Sequence, residues 1–224
     1  MEVLADLWSD PSIAFPLLLS LRIAAATLAF HAIFGVALGW ALARRGWPGR
    51  ALLDIVVTLP MVFPPIVLGF LLLMVLGRRG AGGWIEAHLG LEFVFTETGV
   101  LLASVVVGLP LIAKPVEAAV AAFPTILLEA ARTLGRSDAV IFFRVVLPNI
   151  AGAVGAGLLM ATARSLGEVG VTLMLGGDIV GRTNTISLEI YNAVTAGEFR
   201  RALALSTILG VLSLGVILMV RRQN

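Results

Sequence analysis

Residues 124–148 read Pro124-Thr-Ile-Leu-Leu-Glu129-Ala130-Ala131-Arg132-Thr133-Leu134-Gly135-Arg136-Ser137-Asp138-Ala-Val-Ile-Phe-Phe-Arg144-Val145-Val146-Leu147-Pro148. This is a polar, helix-forming patch in a chain otherwise made of apolar runs. Pro124 suits a helix start, because the first turn has no use for its missing N–H. Gly135 permits a sharp turn, and Ser137 and Asp138 offer a cap to a following helix. Pro148 falls in the first turns of the next apolar run. The segment at about 124–144 therefore predicts a helix-turn-helix, a shape that fits a groove on another protein as a rigid lever.

On either side the chain is greasy. Of its 224 residues 59% are hydrophobic and 13% charged, too few charges for a soluble domain of this length. Runs of about 20 apolar residues mark membrane spans. We read five, at roughly Ile13–Ala43, Ala51–Leu76, Thr98–Phe123, Val145–Leu175 and Ala202–Val220. The expected fold is an all-α membrane protein: a single domain, 1–224, with the helix-turn-helix set between the third and fourth spans. Cysteine is absent, which excludes disulfides and thiolate metal sites, and no metal site is expected. The first twelve residues carry Glu2, Asp6 and Asp10 but no Lys or Arg, the wrong start for a cleaved signal peptide. A net charge of +2 with no soluble basic face argues against nucleic acid.

Charge placement sets an expected orientation. One set of connections holds Arg44, Arg45, Arg50, Arg132, Arg136, Arg144, Arg221 and Arg222 against Glu129 and Asp138. The opposite set holds five arginines (Arg78, Arg79, Arg182, Arg200, Arg201) against nine carboxylates between Glu2 and Glu198. The basic excess marks the cytoplasmic side. The N-terminus is then outside, the C-terminus inside, and Glu129 cytoplasmic. On the outer side, Gly83–Leu91 predicts a short interfacial helix anchored by Trp84. Residues Arg182–Val194 predict a short helix facing an external partner.

Several residues inside the spans are costly enough to need a reason. Arg164 and Glu168 stand four apart, sharing a helix face on which they can pair. With Ser165 between them they form either a polar lining or hinge on a substrate path, where Gly167 and Gly170 allow close helix approach, or a structural ion pair. Pro60, Pro64 and Pro65 kink the second span, and a broken helix is tolerated against protein or a water-lined path. They are candidates for a gate, with a packing kink as the plainer alternative. Lys114 is a further intramembrane cation that could assist a departing anion. Arg22 reads as snorkelling to the interface and His31 as a packing residue. Lys114, the one lysine, is followed by Pro115, so no P-loop is available to hold ATP.

The spacing of Glu129-Ala130-Ala131, three residues, Gly135, nine residues, Val145, one residue, Leu147-Pro148 resembles the EAA loop of permease subunits in bacterial binding-protein-dependent ABC importers. Val145 replaces a usual Ile. The resemblance extends to Pro-Gly-Arg-Ala-Leu-Leu-Asp at 48–54, the proline-rich second span, Gly-Arg-Arg-Gly at 77–80, Ala-Arg-Ser-Leu-Gly-Glu at 163–168 and Arg-Thr-Asn-Thr-Ile at 182–186. Among such permeases it is most similar to the molybdate subfamily, which is related to the longer sulfate permeases.

The resemblance implies a type I ABC importer permease fold, a homodimer in the bacterial inner membrane, two ABC ATPase subunits and a periplasmic molybdate-binding protein. It implies a non-catalytic transport subunit with no cofactor of its own, ATP and Mg²⁺ being bound by the ATPase. Glu129, Ala130, Ala131, Gly135, Leu147 and Pro148 would couple to that ATPase. Pro60, Pro64, Pro65, Lys114, Arg164, Ser165 and Glu168 would line the translocation pathway. Arg182, Thr183 and Tyr191 would dock the binding protein. The expected cargo is molybdate, with tungstate beside it. Sulfate, thiosulfate or another anion is the rival within this class. An ATP-independent channel or carrier using Glu117 and Glu168 is the rival outside it. An intramembrane enzyme lacks a nucleophile–base pair or clustered ligands.

Overall fold

The structure, a computed structural model, describes residues 11–44 and 46–221. The acidic segment 1–10, assigned above to the outside, and Arg45 and Arg222 of the basic set lie outside the described residues. Every regular element among the described residues is helical.

The first span is α1 (Pro11–Phe30), a π turn (His31–Gly35) and α2 (Val36–Ala43). Together they run unbroken as Ile13–Ala43. Then come α3 (Arg50–Val62), α4 (Pro65–Leu76) and α5 (Ala81–Leu89). The central helix α6 spans Glu97–Ala121. The hairpin follows as α7 (Thr125–Thr133) and α8 (Asp138–Ile141), which continues through a second π turn (Phe142–Val146) into α9 (Leu147–Asn149). The chain ends with α10 (Ala151–Leu166), α11 (Gly170–Gly176), α12 (Ile186–Thr195) and α13 (Phe199–Arg221).

Two of the expected spans are continuous and long and apolar enough to cross a membrane, Ile13–Ala43 and Glu97–Ala121. The bent pairs α4 with α5 (51°) and α8–α9 with α10 (77°) also qualify by length and composition.

Two expected spans are not single helices. The second breaks at Phe63-Pro64. Phe63 is extended (φ −80°, ψ 140°), as the residue before a proline is pushed to be, and Pro65 starts α4 at its first position. The fourth bends at Ile150 and breaks again at Gly167–Val169. By contrast, α6 continues through Pro110 and Pro115 without a break, with neighbours packed on several sides.

Helix α6 is the hub. Thr96 caps it by accepting from the Gly99 N–H at 3.3 Å, and Glu97 in its first turn complements the dipole. Val100, Ala103, Ile112, Ala113 and Val116 are fully buried, against α10, α2, α1 and α11. Between spans there is little hydrophobic drive, so close contact does the work. Gly39 of α2 shows how close. A Cβ built there would lie 2.6 Å from the Ala113 carbonyl oxygen and from Val116 Cβ. The α8 end and second π turn join this core, as Ile141, Phe142 and Val146 pack with Val36, Ile112 and Val116. The hairpin is thus tied rigidly to the span bundle.

Candidate functional site

The hairpin turns as the sequence requires. Gly135 adopts φ +71°. Its N–H donates to the Arg132 carbonyl at 2.9 Å and the Arg136 N–H to Ala131 at 3.3 Å, the paired bonds that close a helix end around a left-handed glycine. Ser137 caps α8. Pro124 stands one residue before α7, as its cap, rather than in its first turn. Helix α7 has no buried residue. Glu129 and Ala130 are exposed, Ala131 half-buried, and Ile126 (71% exposed) and Leu134 (78%) stand beside them. Apolar side chains this bare on a polar helix mark a protein-contact surface. Leu147 packs into the core cluster, while Pro148 is exposed. The stretch predicted for coupling therefore divides: 129–135 form the surface, and Leu147 anchors it.

Of the residues predicted for the pathway, Pro64, Pro65, Arg164, Ser165 and Glu168 lie at or beside the place where two helix breaks meet. A Cβ on Gly170, at the start of α11, would come within 2.8 Å of Pro65 Cβ and 3.2 Å of the Ile66 nitrogen. The break before α4 thus lies directly on the break before α11. Arg164 and Glu168 flank this contact, Arg164 Nη1 to Glu168 Oε2 at 2.5 Å. The pairing expected from four-residue spacing is present, but not on one helix. Helix α10 ends at Leu166, and Glu168 turns to accept from the Val171 N–H at 2.8 Å, covering the exposed start of α11. The side-chain exposures are unequal, 37% for Arg164 and 2% for Glu168.

The polar groups freed by the break find partners. Ser187 donates to the Leu166 carbonyl at 2.5 Å. The Ser165 hydroxyl lies 2.9 Å from the Ser104 carbonyl and 2.8 Å from that of Ala161. A void of about 10 Å³ beside Ser20, Ser104, Ser165, Glu168 and Thr172 has room for one water. His31 is fully buried and bonds to the Val105 carbonyl at 3.0 Å. A Cβ on Gly108 would strike its ring at 2.4 Å, so His31 is the packing residue expected. Pro60 lies within α3 and is half-buried, whereas Pro64 and Pro65 are exposed.

Lys114 departs from expectation. Its ammonium bonds Asp54 and, at 2.8 Å, Glu117, and Glu117 also accepts from Arg50 at 2.9 Å. Two cations and two carboxylates cancel. Lys114 therefore ties α6 to the start of α3 and offers no uncompensated charge to an anion. Asp54, sixty residues away in sequence, was the part missed; a carboxylate inside an apolar run was its one visible signal.

On the opposite face Arg182 and Tyr191 are exposed, but Thr183 is fully buried. Its hydroxyl accepts from the Ile179 N–H at 2.8 Å, holding the turn before α12. Asn184 does likewise for the Gly181 N–H at 2.9 Å. Thr183 shapes this surface from beneath and is not part of it. Trp84 of α5 is exposed and stacked on His88, ring centroids 4.6 Å apart.

Residues 35–223 match the family of binding-protein-dependent transport system inner membrane components. The chain belongs to that family. It is the permease subunit of an ABC importer, a multi-pass inner-membrane protein. Over 178 residues, 79% of this chain and 78% of the relative, it is 39% identical to the molybdenum transport system permease protein ModB of Escherichia coli K12. The Haemophilus influenzae protein of that name is 37% identical over 177 residues, covering 79% and 77% of the two chains. The sulfate transport system permease protein CysW of E. coli K12 is 33% identical over 221 residues, covering 96% and 74%. Among solved structures, a bacterial ABC transporter importing the acidic polysaccharide alginate superposes with TM-score 0.80 at 18% identity, over all of this chain and 82% of the other. The MetNI methionine ABC transporter gives 0.72 at 18% identity, covering 94% of each chain. The permease fold expected from the sequence is thereby shown.

Proposed function

We propose that this permease carries molybdate, with tungstate as a second cargo, into the cell by alternating access. Its greater likeness to the molybdenum permeases than to the sulfate permeases carries the reading of cargo: 37–39% identity against 32–33% for CysW relatives. It works as a homodimer with two ATPase subunits that bind ATP and Mg²⁺, and it receives its anion from a periplasmic molybdate-binding protein. The basic hairpin side is cytoplasmic, with the N-terminus outside.

The mechanism follows from rigid connections. Closure of the ATPases draws the two copies of the hairpin together, with 129–135 as the contact. Because Ile141, Phe142 and Val146 are embedded against α6, that motion passes into the spans without slack. The paired breaks at Phe63–Pro65 and Gly167–Gly170 are where the spans bend, and Arg164 is the cation the anion meets there. Its charge is balanced by Glu168, which suits a pore that must release what it admits. Each ligand acts by favouring one of two states. Arg182 and Tyr191 receive the binding protein on the outer face.

The test is ATPase activity of the reconstituted permease–ATPase complex in the presence of its binding protein. Loading with molybdate should stimulate most, and Glu129→Lys should abolish stimulation. Stimulation by sulfate alone would transfer the cargo to the second reading, which the match to CysW over 96% of this chain favours. An ATPase that ignores this chain would remove the coupled mechanism.

A further inference from the structure

Between the end of the first span and the hairpin lies a cavity of about 420 Å³, within the range of small-molecule sites. Its walls are apolar and aromatic: Trp40, Phe123, Leu128, Phe142 and Val146. Trp40 packs on Phe142 with ring centroids 4.6 Å apart. Its mouth is cationic. Arg44 stacks over Trp40, 4.0 Å from the ring centroid, and Arg132 stands across from it, both lining the cavity. One carboxylate serves both: Asp138 accepts from Arg44 at 3.1 Å and from Arg132 at 3.3 Å. All three side chains are about half exposed, and an ion pair so wet holds weakly. The mouth therefore carries one net positive charge on partners that are easily exchanged. It sits at the level where Ala43 ends the span, the depth at which tryptophan and arginine meet headgroups.

We propose that this cavity holds an acidic phospholipid, its phosphate on Arg44 and Arg132 and one acyl chain between Trp40 and Phe142. Charge selects the occupant. The ammonium of a zwitterionic lipid offsets its phosphate at this net-positive mouth, whereas an acidic lipid brings a negative charge that nothing in its own headgroup cancels. The bound lipid would wedge the first span against the hairpin, so that leaflet composition bears on how firmly the lever is held. The proposal rests on the proposed cytoplasmic placement of this face for its setting, but its test does not.

The test places the permease in symmetric nanodiscs, so that either orientation sees the same lipid. The Trp8→Phe, Trp47→Phe and Trp84→Phe variant leaves Trp40 as the reporter. Phosphatidylglycerol or phosphatidylcholine with brominated chains is titrated in, and quenching of Trp40 is read. One net charge near the surface predicts about fivefold preference for phosphatidylglycerol. Asp138→Asn should raise the preference about fivefold again, and Arg44→Gln with Arg132→Gln should reverse it, because Asp138 then leaves the mouth with one net negative charge. The rise with Asp138→Asn separates a headgroup site from a merely structural ion pair. Native mass spectrometry of the wild-type chain and the double-arginine variant from mixed lipid gives the same comparison without the reporter substitutions. Equal quenching by both lipids, or a preference unchanged in the double variant, overturns the proposal. Trp40 unquenched by either lipid also overturns it.

Discussion

Removing either member of the Arg164–Glu168 pair should have very different consequences, although both lose the same 2.5 Å contact. Arg164→Met leaves a carboxylate whose side chain is 2% exposed with one N–H bond from Val171. Stranding one partner of a buried ion pair costs about 3–5 kcal/mol. Glu168→Gln leaves a guanidinium whose side chain is 37% exposed and can turn to water, while the amide oxygen still accepts from Val171. That loss resembles an exposed pair, about 1 kcal/mol. The double variant strands nothing and should fall at about 1–2 kcal/mol, milder than Arg164→Met alone. Reversible unfolding of the full chain in mixed micelles measures all three. Equal losses from the two single variants, or a double variant worse than Arg164→Met, would refute the placement of Glu168 as the buried, capping partner.

Three further outcomes follow from the geometry. Gly135→Ala forces a Cβ into φ +71°, costing about 1–2 kcal/mol in the hairpin; co-purification with the ATPase should fall while helix content by circular dichroism stays unchanged. Lys114→Met should destabilise by stranding Asp54, whereas adding Asp54→Asn should recover much of the loss; a double variant with normal stability but a changed half-saturating anion concentration would return Lys114 to the transport path. Gly39→Leu would drive a side chain into the Ala113 carbonyl and Val116, and overpacking of this kind costs about 1–3 kcal/mol or more; the yield of monodisperse protein on gel filtration should collapse, and normal yield would mean that α2 and α6 stand farther apart.

The hairpin was legible in the sequence because every signal in it is local. Gly135, Ser137 and the polar run act within a few residues, and the structure uses them as written. The break at Phe63–Pro65 was half legible: three prolines announced a distortion, but only the backbone shows Pro60 inside a helix and Pro65 starting one. The break at Gly167–Val169 was also half legible: Gly167 and Gly170 suggested a hinge, but glycine is ordinary in membrane helices and the contact of Gly170 with Pro65 and Ile66 comes from a distant helix. Lys114 misled for the same reason. Glu117 lies one turn on in the same helix, but Asp54 comes from another, and one sequence does not reveal a pair sixty residues apart. Thr183 misled differently, because a polar residue in an outer connection reads as surface unless the turn that consumes its hydroxyl is seen.

The π turn at His31–Gly35 has a consequence for how the first span tolerates change in length. A π turn is a helix carrying one additional residue, and each residue turns a helix by about 100°. On one side of it, Ser20 accepts from the Ile186 N–H at 2.9 Å. On the other, Gly39 lies against α6. The wider turn absorbs the added residue, so both contacts face their partners at once. Deleting Ala32 would let the turn close into a regular helix with both halves still facing as they do, whereas a regular helix that kept all five residues of the turn would swing one half against the other by about 100°. This short stretch should therefore accept a single deletion more readily than the regular parts of the span.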